Sequence, residues 1–409
     1  MLEDFFTLGK VVNRHRMGLF GPYVDGLTED LSIKGYTRLS VRAAVAAVSG
    51  FGRWMDRHDL YLKDVSEEMI AEFGRNHRWW IRCGRLAALR ALLQRLRQLG
   101  IASIRVQPDG GPLERIEHDF ATFLRSERAL STATVTNYCP VARLFMAERF
   151  ATGCVDLTRL CAADIQEFVL RHVHSCGHKR MQLMLSALRS FLRFLFLRGQ
   201  ISAPLAEHIP TVAGWRLSEL PKWLTADAVA RTLASCDRRS AVGQRDYAIL
   251  MLLARLGLRA GEIVSMELDD IRWETGAISV CGKGQQRKRF PLPEDVGQAV
   301  ATYLKDVRRP CSSRRVFLRV RAPYRGLGNS STLDTIVRRA LSRAGFDPPN
   351  KGAHLFRHSL ATNMLQNGAT LTEIGQILHH KSPNTTAIYA KVDISGLRSL
   401  AQPWPGDKA

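Results

Sequence analysis

HLFRHSLATNMLQNGATLTEIGQILHHKSPNTTAIY, residues 354–389, is the stretch that decides how this chain is interpreted. Apolar residues recur at helical spacing over residues 359–366, and Gly368 then supplies a typical C-terminal stop. Residues 370–373 have the form of a capping box, which predicts a second helix. A short third helix would follow and carry Tyr389. The stretch therefore predicts helices whose ends bring reactive side chains together.

Three of these side chains form a useful chemical combination if the helices fold back on one another. Arg357 offers a planar fork of donors for a phosphodiester, His380 a further donor or a proton, and Tyr389 a nucleophilic hydroxyl. Taken singly, each is better explained as a helix-terminal residue, a solvated charge or a core aromatic. Together they indicate a phosphate site with a nucleophile.

The combination resembles the catalytic carboxyl-terminal half of the tyrosine recombinases, the phage integrase family. A His-x-x-Arg motif is followed by a histidine and by a tyrosine preceded by Thr-Thr, in the family's order and spacing. Upstream, GLRAGE at 257–262 matches the family's first arginine motif, and GKG at 282–284 matches its hairpin lysine. His379 departs from the family, which usually has glycine there. The matching residues are Arg259, Lys283, His354, Arg357, His380 and Tyr389.

The resemblance implies an enzyme that cuts and rejoins DNA strands through a covalent 3′-phosphotyrosine, without metal, ATP or any other cofactor. Tyr389 would be the nucleophile. Arg259 and Arg357 would neutralise the charge of the pentacoordinate phosphorus. The energy stored in the phosphotyrosine would let a second DNA end resolve it.

Four further residues receive proton-transfer or supporting roles. A lone Gly-Lys-Gly is common in surface loops, but its distance from the first arginine motif matches the family, which uses this lysine, Lys283, as general acid to the leaving 5′ oxygen. His354 and His380 would hold the phosphate or accept the tyrosine proton. Glu262 follows Arg259 closely enough to fix its guanidinium and reduce the conformational cost.

Composition limits the function classes. A formal net charge of +21 over 409 residues favours a polyanionic partner, and nucleic acid is the natural one. Long apolar runs and a signal-peptide pattern are absent from the sequence, so we expect a cytoplasmic protein without a membrane segment. The eight cysteines make no Cys-x-x-Cys pair, which favours reduced thiols.

One segment contains metal-ligand residue types. Residues 172–178 (HVHSCGH) could supply a ligand set, but no second cluster completes it, and Lys179 and Arg180 follow at once. A basic loop is the better interpretation, and we expect no metal site.

The pattern of helices and linkers predicts five segments. They are a helical domain at 1–110 that includes a loop-like stretch at 18–26, a second helical domain at 111–205, a proline-containing linker at 206–222, a domain at 223–395 and a tail at 396–409. By the resemblance, 111–205 is the family's SAM-like core-binding domain and 223–395 its catalytic domain.

The two helical domains have related patterns. Residues 86–96 (LAALRALLQRL) and 185–195 (LSALRSFLRFL) share an Ala-Leu-Arg core, and the preceding helices repeat in the same order. Any two amphipathic helices share a leucine period, but the common order favours a duplicated module. For the first copy we expect a single core containing Val48, Phe51, Ile70, Phe73, Leu89 and Leu93. We also expect a DNA-facing basic edge formed by Arg85, Arg90, Arg95 and Arg97.

By the resemblance, the second copy covers one side of the DNA and the catalytic domain covers the other. The basic residues of this copy are expected to contact phosphates, and the alternative is that they form only the solvated face of a helix. If they do contact phosphates, the candidates are Lys179, Arg180, Arg189 and Arg193.

The expected fold class is mainly α with a small antiparallel β-meander, which makes the catalytic domain α+β. The three strands are expected at 270–273, 277–281 and 287–292, with Lys283 in the second loop. Arg259 is expected in the turn from an apolar helix into the helix that holds Glu262.

The favoured function is site-specific recombination of double-stranded DNA, for integration, excision or transposition of a mobile element. We expect a homotetramer on DNA or an assembly with partner recombinases. A type IB topoisomerase shares the chemistry, but separate helical domains before the catalytic one favour recombination. A catalytically silent DNA-binding or architectural relative is opposed by the complete set of motifs.

Overall fold

The computed structural model describes residues 2–77, 85–102, 111–150, 155–211, 220–282, 287–380, 382–393 and 397–398. Lys283 lies outside the described residues. The chain divides into two compact units, one made of Met1–Ser103 with Leu217–Ala409 and the other of Ile104–Arg216. The five predicted segments are not tested by this division and stay a prediction.

The amino-terminal part of the first unit is helical. Its described helices are α1 (Gly9–Arg16), α2 (Gly21–Ile33), α3 (Arg38–Asp56), α4 (Glu67–Asn76) and α5 (Leu86–Gln98). Thr37 caps α3 by accepting a hydrogen bond from Ser40 N at 3.3 Å, and Ser66 caps α4. All six residues of the expected core lie in one buried cluster, which confirms that prediction.

The expected loop at residues 18–26 is only partly present, because α2 runs through two of its glycines. Pro22 starts the helix in its first turn, where its missing N–H costs nothing. Gly26 gives space to a neighbouring side chain: a Cβ there would lie 1.9 Å from Arg95 Nη2. Packing therefore overrides the local preference of glycine for a loop.

The expected basic edge of α5 is engaged within the protein. Arg95 donates to Asp30 at 2.8 Å. Arg90 and Arg97 lie 3.8 and 3.7 Å from the Glu67 carboxylate. These ion pairs partly neutralise the edge, and its DNA-facing role stays a prediction.

The second unit is a separate helical bundle. Its helices are α6 (Pro112–Thr122), α7 (Thr132–Arg149), α8 (Ala162–Val173) and α9 (His178–Leu197), with a π-helical turn at Phe123–Glu127. Phe120 packs edge-on against Phe191 with ring centroids 5.1 Å apart, inside a fully apolar cluster. The bundle thus has a core of its own.

Two aromatic contacts recur in the two bundles. Phe51 meets Phe73 edge-on at 5.2 Å, and Phe145 meets Phe168 edge-on at the same 5.2 Å. One turn later, a histidine lies 4.3 Å from Phe73 and another lies 4.7 Å from Phe168. Equivalent sequence positions therefore make equivalent contacts, as a duplicated module would.

The carboxyl-terminal part of the first unit combines helices with a small sheet. The helices are α10 (Ala226–Ala234), α11 (Ala241–Leu256), α12 (Ala260–Ser265), α13 (Glu294–Asp306), α14 (Ser330–Arg343), α15 (His354–Gln366), α16 (Leu371–Ile377) and α17 (Pro383–Thr386). The strands are β1 (Ile271–Arg272), β2 (Ala277–Cys281) and β3 (Arg287–Pro291). Among the described residues, no helix has the length and apolar character needed to cross a membrane.

The predicted meander is confirmed. The strand order is β1-β2-β3, both pairs are antiparallel, and Ile278 pairs with Ile271 on one side and Phe290 on the other. These three side chains are buried and join α11, which is apolar on almost every face, in the largest core of the described residues. The mainly α fold with one small sheet is the fold class that the sequence predicted.

Four helical elements lie between His354 and Val392. α15 begins at His354, five residues before the predicted start, because Leu355 and Phe356 are core residues and Asp334 accepts a hydrogen bond from Ala353 N at 2.9 Å. The Thr370 capping box of α16 is present as predicted. Tyr389 lies beyond α17, in a 3₁₀ helix over Ala387–Val392.

Gly257 is where α11 turns towards α12, and we expect Gly257→Ala to destabilise the protein by about 2–4 kcal/mol. Its φ of +58° is strained for alanine, and an added Cβ would lie 2.8 Å from Leu378 Cδ2 and 3.0 Å from Leu360 Cδ2. Differential scanning calorimetry of the full chain measures the loss.

Gly276→Ala is the matched control. Its φ is +53°, but no atom lies within 4 Å of the added Cβ. We expect this variant to lose about 1 kcal/mol of stability, from backbone strain alone. Equal losses at the two glycines would show that contact with Leu378 and Leu360 does not constrain the turn.

Candidate active site

Arg357 lies at the centre of the site, on the first turn of α15, and is only 4% exposed. Its Nη1 donates to the carbonyl of Gly257, and its Nη2 donates to the carbonyl of Leu378 at 2.6 Å. Desolvation, followed by the positive charge of Arg259, lowers the pKa of Arg357 to about 10. The group stays charged at neutral pH and joins three segments that are distant in sequence.

Arg259 and Glu262 form the second part of the site. Arg259 is the residue before α12, and Glu262 accepts its backbone N–H at 2.8 Å and its Nη1 at 3.0 Å. The Glu262 side chain is 5% exposed, whereas that of Arg259 is 36% exposed. The contact expected between the two residues is present, and it leaves the guanidinium facing solvent on one side.

His354 and His380 flank these arginines. His354 starts α15 and is exposed, and His380 is half-buried, with its Nδ1 at 2.7 Å from Thr386 Oγ1. Desolvation and the charges of Arg357 and Arg259 lower the pKa of both histidines, that of His380 to about 4. Both imidazoles are therefore neutral at pH 7 before any anion arrives.

Tyr389 is 1% exposed, and its hydroxyl lies 2.9 Å from Nδ1 of His358. Desolvation raises the pKa of Tyr389 to about 12, against a smaller lowering effect of Arg357. The phenol therefore keeps its proton at neutral pH. The sequence predicted no role for His358, although this residue directly follows Arg357. Its contact with Tyr389 is evident only in the folded chain.

His379 has a backbone conformation and contacts of its own. Its φ of +50° lies in the left-handed region, which explains why a glycine suits this position. The ring packs edge-on against Phe290 at 4.4 Å, and its carbonyl accepts a hydrogen bond from Lys288 Nζ at 2.7 Å. The geometry therefore favours His380 as the imidazole beside the arginines.

The four proposed DNA contacts all lie on α9, in the second unit. Lys179, Arg180 and Arg193 are exposed, whereas Arg189 makes long hydrogen bonds of 3.3 and 3.4 Å to the carbonyls of Ile209 and Pro210. In the segment expected to be a basic loop, His172 lies 2.8 Å from Glu148. Groups of three metal-ligating side chains are absent among the described residues.

Comparisons with known proteins give the family. The pattern described as Phage integrase family matches residues 222–395, and that described as Phage integrase, N-terminal SAM-like domain matches residues 118–199. The protein named integrase/recombinase y4rA of Sinorhizobium fredii (strain NBRC 101917 / NGR234) is 44% identical over 408 residues, which cover 99% of this chain and 100% of that protein. The chain belongs to the phage integrase family of tyrosine recombinases.

Two further relatives agree. Tyrosine recombinase XerD of Listeria monocytogenes serotype 4b (strain F2365) is 31% identical over 280 residues, 67% of this chain and 93% of that protein. The XerH site-specific recombinase, solved on its palindromic difH substrate after cleavage, shares the fold with a TM-score of 0.55 and 20% identity over 70% of this chain and 84% of its own. Members of this family are enzymes that cleave and join DNA strands.

We expect Arg357→Lys to destabilise this recombinase by about 1–3 kcal/mol. An ammonium group lacks the planar fork that reaches the Gly257 and Leu378 carbonyls together, so one buried carbonyl loses its partner. The melting temperature of the full chain should fall accordingly.

Arg255→Lys is the matched control, because Arg255 forms an exposed ion pair with Asp295 at 2.8 Å. Its replacement should cost at most about 1 kcal/mol. If the buried substitution were no more harmful than the exposed one, Arg357 would not be the structural link between these segments.

Proposed function

We propose that this recombinase cleaves and rejoins double-stranded DNA at specific sites through a 3′-phosphotyrosine at Tyr389, and that it integrates, excises or transposes a mobile element. The convergence around Arg357 carries the proposal. Its guanidinium joins the turn before Arg259 to Leu378, and Leu378 packs in the same buried cluster as Tyr389. A phosphate-binding cation and a nucleophile thus share one site.

The exposure of the side chains suggests how a DNA phosphate would enter. Arg259 and His354 are the more exposed groups and form the mouth, whereas Arg357 and Tyr389 are buried and form the floor. A phosphodiester monoanion that passes between them would exchange its hydration for guanidinium donors. The negative charge of the phosphate would offset the electrostatic repulsion between the two arginines.

The proposed reaction proceeds in two balanced steps. Tyr389 Oη forms a bond to phosphorus as the P–O5′ bond breaks; the phenolic proton passes to an imidazole of the site, and the departing O5′ takes a proton from Lys283. Arg259 and Arg357, with donors from His354 and His380, stabilise the extra negative charge on the phosphoryl oxygens. The 5′-hydroxyl of another strand then attacks the phosphorus and gives its proton back to Lys283, while the departing phenolate regains its proton from the imidazole; the phosphodiester is restored and Tyr389 is released.

The wider organisation is part of the proposal. Double-stranded DNA is the partner, consistent with the net charge of +21. Synapsis of two sites calls for a homotetramer or an assembly with partner recombinases, and we place the enzyme in the cytoplasm with its substrate. Exposed Lys179, Arg180 and Arg193 of α9 would contact phosphates, with a smaller contribution from Arg189.

The domain boundaries are proposed as the sequence predicts them. Residues 111–205 form the core-binding domain and 223–395 the catalytic domain, joined by 206–222, with a tail at 396–409. Residues 1–110 are a duplicate of the core-binding module. The recurrence of the Phe51–Phe73 contact at Phe145–Phe168 supports the duplication.

The first test is Tyr389→Phe, which removes the hydroxyl and keeps the buried ring. Covalent adducts are trapped with SDS on nicked duplexes made from the DNA that flanks the gene. We expect adduct formation to fall by at least about 10³-fold, because the nucleophile is absent, while gel-shift affinity for the same duplexes stays within about two-fold.

Tyr303→Phe serves as the control. Tyr303 is equally buried, and its hydroxyl accepts a hydrogen bond from Leu318 N at 3.0 Å. This variant should lose stability but keep its adducts. Adducts with Tyr389→Phe at the parental rate would refute the nucleophile assignment. Binding without adducts in the parent would indicate a silent relative, and plasmid relaxation without strand exchange between duplexes a topoisomerase.

A second test separates proton donation from binding at Lys283. Lys283→Ala should slow cleavage of a normal substrate by about 10²–10⁴-fold and leave a substrate with a 5′-bridging sulfur nearly unaffected, because a thiolate leaves without an acid. Single-turnover rates on the two duplexes measure the difference. Equal slowing would mean that the lysine only positions the DNA.

A further inference from the structure

The hydroxyl of Tyr389 has a specific polar neighbour. Nδ1 of His358 lies 2.9 Å from it, and the two rings are tilted by 60° with centroids 5.7 Å apart. On its other sides the tyrosine packs with apolar Ala361, Ile374 and Leu378. In the described part of the chain, this imidazole is therefore the group placed to exchange a proton with the phenol.

The protonation states of the two groups suit that exchange. Desolvation, with the nearby His354 and Arg357, lowers the pKa of His358 to about 4, so its imidazole is neutral at pH 7. In the tautomer that carries the ring proton on Nε2, the hydroxyl donates and Nδ1 accepts, and this is the tautomer that the exchange requires.

The other two histidines of the site are occupied differently. Nδ1 of His380 lies 2.7 Å from the Thr386 hydroxyl, which fixes the ring and directs Nε2 away from that contact. His354 lies one turn before His358 on α15, and their ring centroids are 6.4 Å apart. Neither histidine makes the contact to Tyr389 that His358 makes.

We propose that His358 is the general base of the reaction, which accepts the Tyr389 proton on Nδ1 during cleavage and returns it during rejoining. As the Oη–P bond forms, the O–H bond breaks and its proton passes to Nδ1, while the P–O5′ bond breaks. In the reverse step, the imidazolium reprotonates the departing phenolate oxygen. This inference rests on the proposed function and assigns the proton to neither His354 nor His380.

The test compares His358→Ala with His358→Asn in single-turnover adduct formation on nicked duplexes from the DNA flanking the gene. Both variants should be slower than the parent by about 10²–10⁴-fold, because an amide can accept the hydrogen bond but cannot take the proton. Added imidazole should raise the adduct rate of the alanine variant by at least about ten-fold. It should leave the adduct rate of the asparagine variant unchanged. Rejoining should show the same pattern.

His15→Ala is the matched control. His15 is also buried, and its Nδ1 lies 2.6 Å from the Ser49 hydroxyl, but it belongs to α1, far along the chain from the site. Its adduct rate should stay within about two-fold of the parent. Comparing melting temperatures of all variants shows whether a slow variant is folded, and the asparagine variant carries the test if the alanine variant does not fold.

The outcomes separate the inference from the function beneath it. If the parent forms adducts and His358→Asn matches it, the histidine only positions the hydroxyl and the inference fails alone. The same holds if His358→Ala is as fast as the parent. If the parent forms no adduct on any flanking duplex, the proposed function fails and the inference fails with it.

Discussion

The site depends on one buried cation. Removing a guanidinium from water is costly, and Arg357 recovers part of that cost through hydrogen bonds to two carbonyls. Those carbonyls belong to Gly257, which precedes the Arg259 turn, and to Leu378, which precedes His380. Residues separated widely in sequence are thus fixed by one planar group. A lysine could not connect them in this way.

The same cation sets the charge state of its surroundings. Desolvation, together with the field of Arg357 and that of Arg259, lowers the pKa of His354 and of His380 and holds both neutral in the protein alone. A phosphate anion placed between the arginines would act in the opposite direction and favour the protonated imidazoles. The histidines can therefore become stronger donors when the substrate arrives, whereas the arginines are charged throughout. Neutral histidines beside charged arginines limit the positive charge that the site carries before DNA binds.

Much of this arrangement could be predicted from local sequence. The Arg259–Glu262 pair follows from an acid at the first turn of a helix, and the meander follows from alternating strands separated by glycine turns. The contact between His358 and Tyr389 could not be predicted. It depends on a 3₁₀ turn packing against α15, and neither residue carries a local signal of that approach. Likewise, no residue near Arg357 in the sequence predicts that its guanidinium will bind the carbonyls of Gly257 and Leu378.

Burial explains why a covalent intermediate could survive here. Tyr389 is 1% exposed and Arg357 is 4% exposed, so the bond between tyrosine and phosphate would form where water is largely excluded. A phosphotyrosine in open solvent could be lost to hydrolysis, and the strand break would then be permanent. Because Arg259 and His354 are the more exposed groups of the site, a returning DNA end would reach the phosphorus past the donors that are proposed to bind its phosphate. The same low exposure that raises the pKa of Tyr389 would therefore protect its product, and the proposed base already lies in contact with the hydroxyl.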